Sequence, residues 1–227
     1  MRENRIKLLI SIVNDDLEHN ITEELRKYKI PFHLIVNGKG TASPSLLDYF
    51  GIEGSKRSVT FAIIPESLEI DLLYKVYNDL KFKEPGYGVA FTLPISSSSK
   101  YLSDNLKEVV FEKEVTSMKS DKEYHLIFAI VQDGYAEDLI VTVKKAGARG
   151  ATLIKGRGLG NKDAVKFLGF QLEPERDIVL IAVEEEIKTK IMETIVKKAG
   201  ITTPGKGICF SLKVDNAIGL DNVIEFD

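Results

Sequence analysis

The sequence holds one cysteine, Cys209, and three histidines, His19, His33 and His125, in 227 residues. A lone thiol excludes an intrachain disulfide, and the scattered histidines make none of the spacings that a tetrahedral zinc site needs. No apolar run approaches the roughly 20 residues of a membrane-spanning helix. The first residues, MRENRIKLLISIVNDD, turn acidic before a secretory apolar segment is complete, so a cytoplasmic location is expected. Charge of one sign is not in excess either: 31 basic side chains against 34 acidic ones leave a net charge of −3. That removes the global electrostatic case for nucleic acid or an anionic membrane surface. No Ser/His/Asp, Cys/His or paired-carboxylate constellation recurs along the chain, so no enzyme is expected. The acidic run Glu184 to Glu186 opens a helix pattern, where carboxylates meet the positive end of the helix dipole. Cys209, between Ile208 and Phe210 in a strand pattern, reads as a buried inert thiol.

What the chain does have is a repeat. PGYGVAFTL at Pro85 to Leu93 and PGKGICFSL at Pro204 to Leu212 share five of nine residues at a spacing of 119. Ile12, Val13 and Asp15 meet Ile130, Val131 and Asp133 at 118, as Gly38 and Gly40 meet Gly156 and Gly158, and Gly51 meets Gly169. Past one inserted residue, Arg57 and Arg176 align at 119. A register kept through this many elements implies an internal duplication, so the unit to explain is half a chain.

Each half reads as strand, helix, strand, strand, helix, strand. In the second, strands are expected at 125–131, 151–155, 178–183 and 207–214. One helix over 136–146 carries Leu139, Ile140 and Val143 on one face, and another over 185–199 carries Ile187, Ile191 and Ile195 at four-residue spacing. The first half repeats this with strands near 6–13, 32–36, 59–64 and 89–95 and helices near 17–28 and 68–80. The order predicts an α+β chain of two tandem ferredoxin-like (βαββαβ) domains with antiparallel sheets, each with its helices on one face. The other face carries apolar residues too, and needs cover from the sister domain or another subunit. The Ser run 96–99 reads as a connector, and Val109, Val110 and Phe111 as an added strand or helix turn. The domains are placed at 1–116, linker included, and 117–227.

Glycine corners carry the candidate chemistry. Gly156, Gly158 and Gly160 let the backbone adopt positive φ and bring N–H groups to a ligand, and a helix start at 163–168 would favour an anion. The same glycines would equally serve a tight strand exit. Both halves also show an apolar cluster, LLDYFGI at 46–52 and AVKFLGF at 164–170, each reading as a short amphipathic helix that packs as a lid or meets a partner.

The second half, with KKAGARGATLIKGRGLG, a long loop, and a helix running into KKAGITTPGKGICF, resembles the PII family of nitrogen-regulatory signalling proteins over 124–214. Through the repeat, the resemblance extends to 6–95. It implies a non-enzymatic regulator that senses a small anionic metabolite or an adenine nucleotide and answers to a partner protein through the loops 41–57 and 159–176, in nitrogen regulation. It also implies a homo-oligomer, with a trimer favoured. The ligand positions it implies are Thr152, Gly158, Gly160, Lys162, Arg176, Gly205, Lys206 and Gly207, with Gly38, Gly40, Gly86 and Gly88 as first-half counterparts. The chain departs from the family at Ile208 and Val89, where PII proteins carry a lysine, and in 217–221, AIGLD, which lacks the family's basic pair. The loop also lacks the family's modified tyrosine. A ligand-free structural or interaction module of the same fold is the alternative reading.

Overall fold

A computed structural model describes residues 5–41, 55–84, 86–109, 111–158, 165–167, 170–172, 175–220 and 224–227. The described chain falls into two compact units, each assembled from separate stretches of sequence. Unit 1 takes 1–36, 56–124 and 213–227; unit 2 takes 37–55 and 125–212. No described helix is long and apolar enough to cross a membrane.

Unit 1 is built on β1 (Ile6–Asn14), α1 (Glu18–Lys27), β2 (His33–Gly40), β3 (Lys56–Pro65), α2 (Glu69–Asp79) and β4 (Gly88–Ile95). Its strands run in the order β2, β3, β1, β4, with β1 antiparallel to both neighbours. This is the ferredoxin-like arrangement. The helical period places Ile21 and Leu25 of α1, and Leu72, Leu73 and Val76 of α2, on one apolar stripe each. Both stripes close over Leu9, Val13, Ala62, Ile64 and Ala90, alternate residues on one face of the sheet.

Unit 2 repeats the order with β6 (Tyr124–Gln132), α4 (Ala136–Ala146), β7 (Thr152–Arg157), β10 (Glu175–Glu184), α5 (Glu185–Ala199) and β11 (Ile208–Lys213), arranged as β11, β6, β10, β7. Leu139, Ile140 and Val143 of α4 and Ile191 and Ile195 of α5 pack on Ile127, Ala129, Val131, Val179, Ile181 and Val183. Gly147, at φ 121, ends α4 in a backbone conformation that costs other residues energy. On the face away from the helices, Phe128 and Phe210 stack at 5.1 Å, and Ile208, Phe210 and Leu212 of the end strand β11 are 55%, 41% and 39% exposed.

Three local expectations change. The stretch 164–170, read as a helix, instead forms strand β8 (Val165–Phe167), which pairs antiparallel with β9 (Phe170–Leu172), Val165 opposite Leu172 and Phe167 opposite Phe170. Apolar, polar, apolar on both sides of Gly169 is a period of two, which suits a hairpin better than a helix. Its counterpart 46–52 lies outside the described residues. The Ser run does more than connect: the Ser99 hydroxyl accepts from Leu102 N–H at 3.4 Å and caps α3 (Lys100–Leu106). Val109 and Phe111 form no regular element and pack on the unit 1 core.

The chain's last residues form elements that the sequence reading did not anticipate. β12 (Asn216–Ile218) pairs with β4, Asn216 opposite Thr92 and Ile218 opposite Ala90, and β13 (Glu225–Phe226) pairs with β5 (Met118–Lys119). Phe226 packs its ring at 5.3 Å from Tyr74 and 5.6 Å from Tyr77.

Candidate functional site

Four segments of unit 2 converge at one end of its sheet: the turn from β6 into α4, the exit of β7, the entry of β10 and the turn before β11. Antiparallel pairing forces this, because the end of one strand adjoins the start of the next. Glu175 lies opposite Arg157 and Arg176 opposite Gly156, and Gln132 N–H donates to Gly205 O at 2.9 Å. The structure therefore brings Gly158, Arg176, Gly205, Lys206 and Gly207 to one corner. Thr152 is not there. It sits, buried, at the opposite end of β7, roughly 20 Å away at strand rise, opposite Leu180 and Gly40. Gly160 and Lys162 lie outside the described residues.

The Gly205–Gly207 turn spends its amides internally. Gly205 N–H donates to Thr203 Oγ1 at 3.2 Å, Lys206 N–H to Thr203 O at 3.0 Å and Gly207 N–H to Ala199 O at 2.7 Å. Lys206 adopts φ 41, a left-handed conformation that an L side chain rarely takes. Gly207 is required by packing: a Cβ there would lie 2.4 Å from Ala199 O and 2.8 Å from Val131 Cγ1. In unit 1, a Cβ at Gly88 would meet the Phe82 ring at 2.7 Å, and Gly86, at φ 91, accepts from Arg57 Nη1 at 3.0 Å. Burial pushes the Arg57 guanidinium below its ordinary range, against the pull of Asp16.

Gly156 and Gly158 differ from the expectation. Positive φ among the described glycines occurs at Gly86, Gly134, Gly147 and Gly219, not at these two. A Cβ on Gly158 would meet only Arg176 Cγ, at 3.2 Å. Gly38 and Gly40 are strand residues of β2, opposite Ile154 and Thr152, and Gly40 N–H donates to Ser55 O at 2.9 Å.

A charge cluster that sequence reasoning passed over anchors the corner. Lys155 Nζ bonds Asp133 Oδ1 and stands 2.7 Å from Asp177 Oδ1; Asp177 is fully buried and its Oδ2 accepts from Gly134 N–H at 3.2 Å. The two carboxylates hold the Lys155 ammonium above the usual lysine range, and the Lys155 hydrogen bond holds the Asp133 carboxyl below the usual carboxylate range. The recurrence of Asp15 at Asp133 was the available signal, yet in unit 1 Asp15 accepts from Ser58 Oγ at 2.8 Å instead. The depressed Asp133 carboxyl contributes stability that is present above its ordinary 3.8 and lost as pH falls through the depressed value. The raised Lys155 ammonium contributes below its ordinary 10.5 and loses that contribution only as pH climbs past the raised value. The Lys155→Met variant is therefore expected to unfold at lower urea than the parent across the neutral range, with the gap narrowing on the acid side of that carboxyl. Urea midpoints at a series of pH values check it, and a gap that stays constant into acid contradicts it.

The family model for Nitrogen regulatory protein P-II matches residues 124–221, which hold the whole βαββαβ series of unit 2 and run on through β12. Among solved structures, the chain is similar to Arabidopsis thaliana PII bound to citrate, at 23% identity over 40% of this chain and 75% of that one, with a TM-score of 0.32. It is also similar to GlnK of B. subtilis, at 18% identity over 41% and 86%, with a TM-score of 0.32. No curated protein matches.

Proposed function

With residues 124–221 matching the P-II family, we propose that this PII-like regulatory protein senses a small anionic effector at the corner of unit 2 formed by Gly158, Arg176 and Gly205–Gly207. The family match laid over that corner carries the reading. Because the turn amides are committed to Thr203 and Ala199, an anion is met by the side chains of Arg176 and Lys206 rather than by a backbone cradle. Lys155 is already shared between Asp133 and Asp177 and adds little free charge. That balance favours a compact carboxylate or a nucleotide held by few phosphate contacts over a triphosphate gripped along its length. Citrate, the ligand named with the Arabidopsis protein, is one such anion. The protein signals in the cytoplasm, within nitrogen regulation, as a homo-oligomer with a trimer favoured. It contacts its partner protein through the loops 41–57 and 159–176.

Thermal unfolding of the full chain with ATP, ADP, AMP, citrate and inorganic phosphate tests the reading. At least one is expected to raise the midpoint, by the equivalent of about 2.7 kcal/mol at a hundred times its dissociation constant. The Arg176→Ala variant is expected to lose most of that rise. No rise with any of the five favours the second reading, a ligand-free interaction module, to which the internally bonded turn already lends support.

A further inference from the structure

In sequence, residues 214–227 trail the second repeat; in the fold they belong to the first. The three residues of β12 lie along the outer edge of β4, and a buried polar cluster fastens them there. The Asn216 side-chain amide donates to Glu69 Oε1 at 2.7 Å, the Asn216 N–H to Thr92 Oγ1 at 3.1 Å, and the Asp215 N–H to Thr92 O at 2.9 Å. Thr92 Oγ1 donates to the same Glu69 carboxylate, and Lys7 bonds Asp215 while standing 3.8 Å from Glu69 Oε2. Burial disfavours the Lys7 charge, yet the Asp215 bond and the carboxylates around it hold the ammonium above its ordinary range.

Just beyond β12 the chain crosses the first repeat's glycine turn. Gly219 takes φ 80, and a Cβ on it would lie 2.1 Å from Gly88 O, so the tail's backbone rests directly on the second glycine of GYG. The equivalent strand of the other repeat, β11, ends its sheet with no strand on its outer edge among the described residues. The two repeats thus differ at the place where their sequences agree best.

We infer that residues 214–227 form an autoinhibitory strap, which seals the β4 edge and the Gly86–Gly88 turn of the first repeat and must detach before either can be reached by a ligand or a pairing strand. An unsealed β4 would offer the unpaired N–H and C=O groups of an open sheet edge. What the freed turn would bind rests on the effector reading above. The strap itself does not, and its test uses no ligand.

Hydrogen–deuterium exchange of the full-length chain, followed by mass spectrometry, compares the parent with Asn216→Ala and Gly219→Val. In the parent, peptides over 214–220 and 88–93 are expected to be protected and to open together. Asn216→Ala removes one hydrogen bond to a buried carboxylate, and Gly219→Val puts a branched side chain against Gly88. Each is expected to speed exchange in both peptides about tenfold or more while β1, β3 and unit 2 keep their protection. A tail that exchanges in the parent as fast as an unstructured peptide overturns the inference. So does opening of the tail without the β4 peptide, or a variant in which every peptide opens at once, since a strap must detach from a fold that stays intact.

Discussion

Gly207→Ala is expected to destabilise the protein by about 3 kcal/mol in the absence of any ligand, because the added methyl has no direction in which to go. Its Cβ would lie 2.4 Å from a helix carbonyl, Ala199 O, with Val131 Cγ1 at 2.8 Å and Ile130 O at 3.1 Å on other sides. Two of the three obstacles are backbone, fixed by α5 and β6. Relief would require breaking the Gly207 N–H bond to Ala199 O, at 2.7 Å one of the shorter backbone bonds of the unit. Gly158→Ala supplies the contrast. Its Cβ meets a single flexible side-chain carbon, Arg176 Cγ at 3.2 Å, so a cost below about 0.5 kcal/mol is expected. Urea unfolding of the two variants beside the parent decides the matter. Equal costs would mean that the glycine of the turn before β11 is not held by packing.

Ile218→Ala is expected to cost about 3 kcal/mol, although Ile218 lies ten residues from the end of the chain. The side chain is fully buried in the unit 1 core with Leu9, Val13, Ile64 and Ala90, and truncating it leaves a cavity that rigid strands cannot collapse to fill. The location of the loss is as informative as its size. Exchange protection is expected to fall in β1, β3 and β4, and to hold in β6 and β10, which precede Ile218 more closely in sequence. A cost under about 0.5 kcal/mol, or a loss confined to unit 2, would contradict the placement of the tail.

The βαββαβ order was legible because it rests on local periodicity. Leu139, Ile140 and Val143, and Ile191 and Ile195, fall on helical faces at the spacings that the core uses, and the apolar strands follow their own period. What escaped reading was long-range. The stretch AIGLD was noticed for its missing basic pair, yet Ala217 and Ile218 act as a strand because β4, more than a hundred residues earlier, offers an edge and Glu69 and Thr92 offer polar anchors. No local pattern records such a partner. The same holds for Lys155, which looks like one more solvated lysine until the fold sets Asp133 and Asp177 beside it. At 164–170 the error was one of period: Val165, Phe167, Phe170 and Leu172 alternate with polar residues, which the hairpin uses and a helix would not. The glycines were correctly picked out, with part of their purpose misread. Gly207 and Gly88 admit close packing and Gly38 and Gly40 sit in a ladder, so repetition of glycine in both halves reflects shared architecture at least as much as shared chemistry.

The functional account turns on the strand-end corner of unit 2. Amide chemical-shift mapping by nuclear magnetic resonance, with the full chain titrated by ATP and by citrate in turn, reads that corner residue by residue. The account predicts saturable shifts from at least one of them, gathered at 132–135, 155–158, 176–178 and 203–208. Saturable shifts gathered elsewhere, or none from either anion at millimolar concentration, would contradict it.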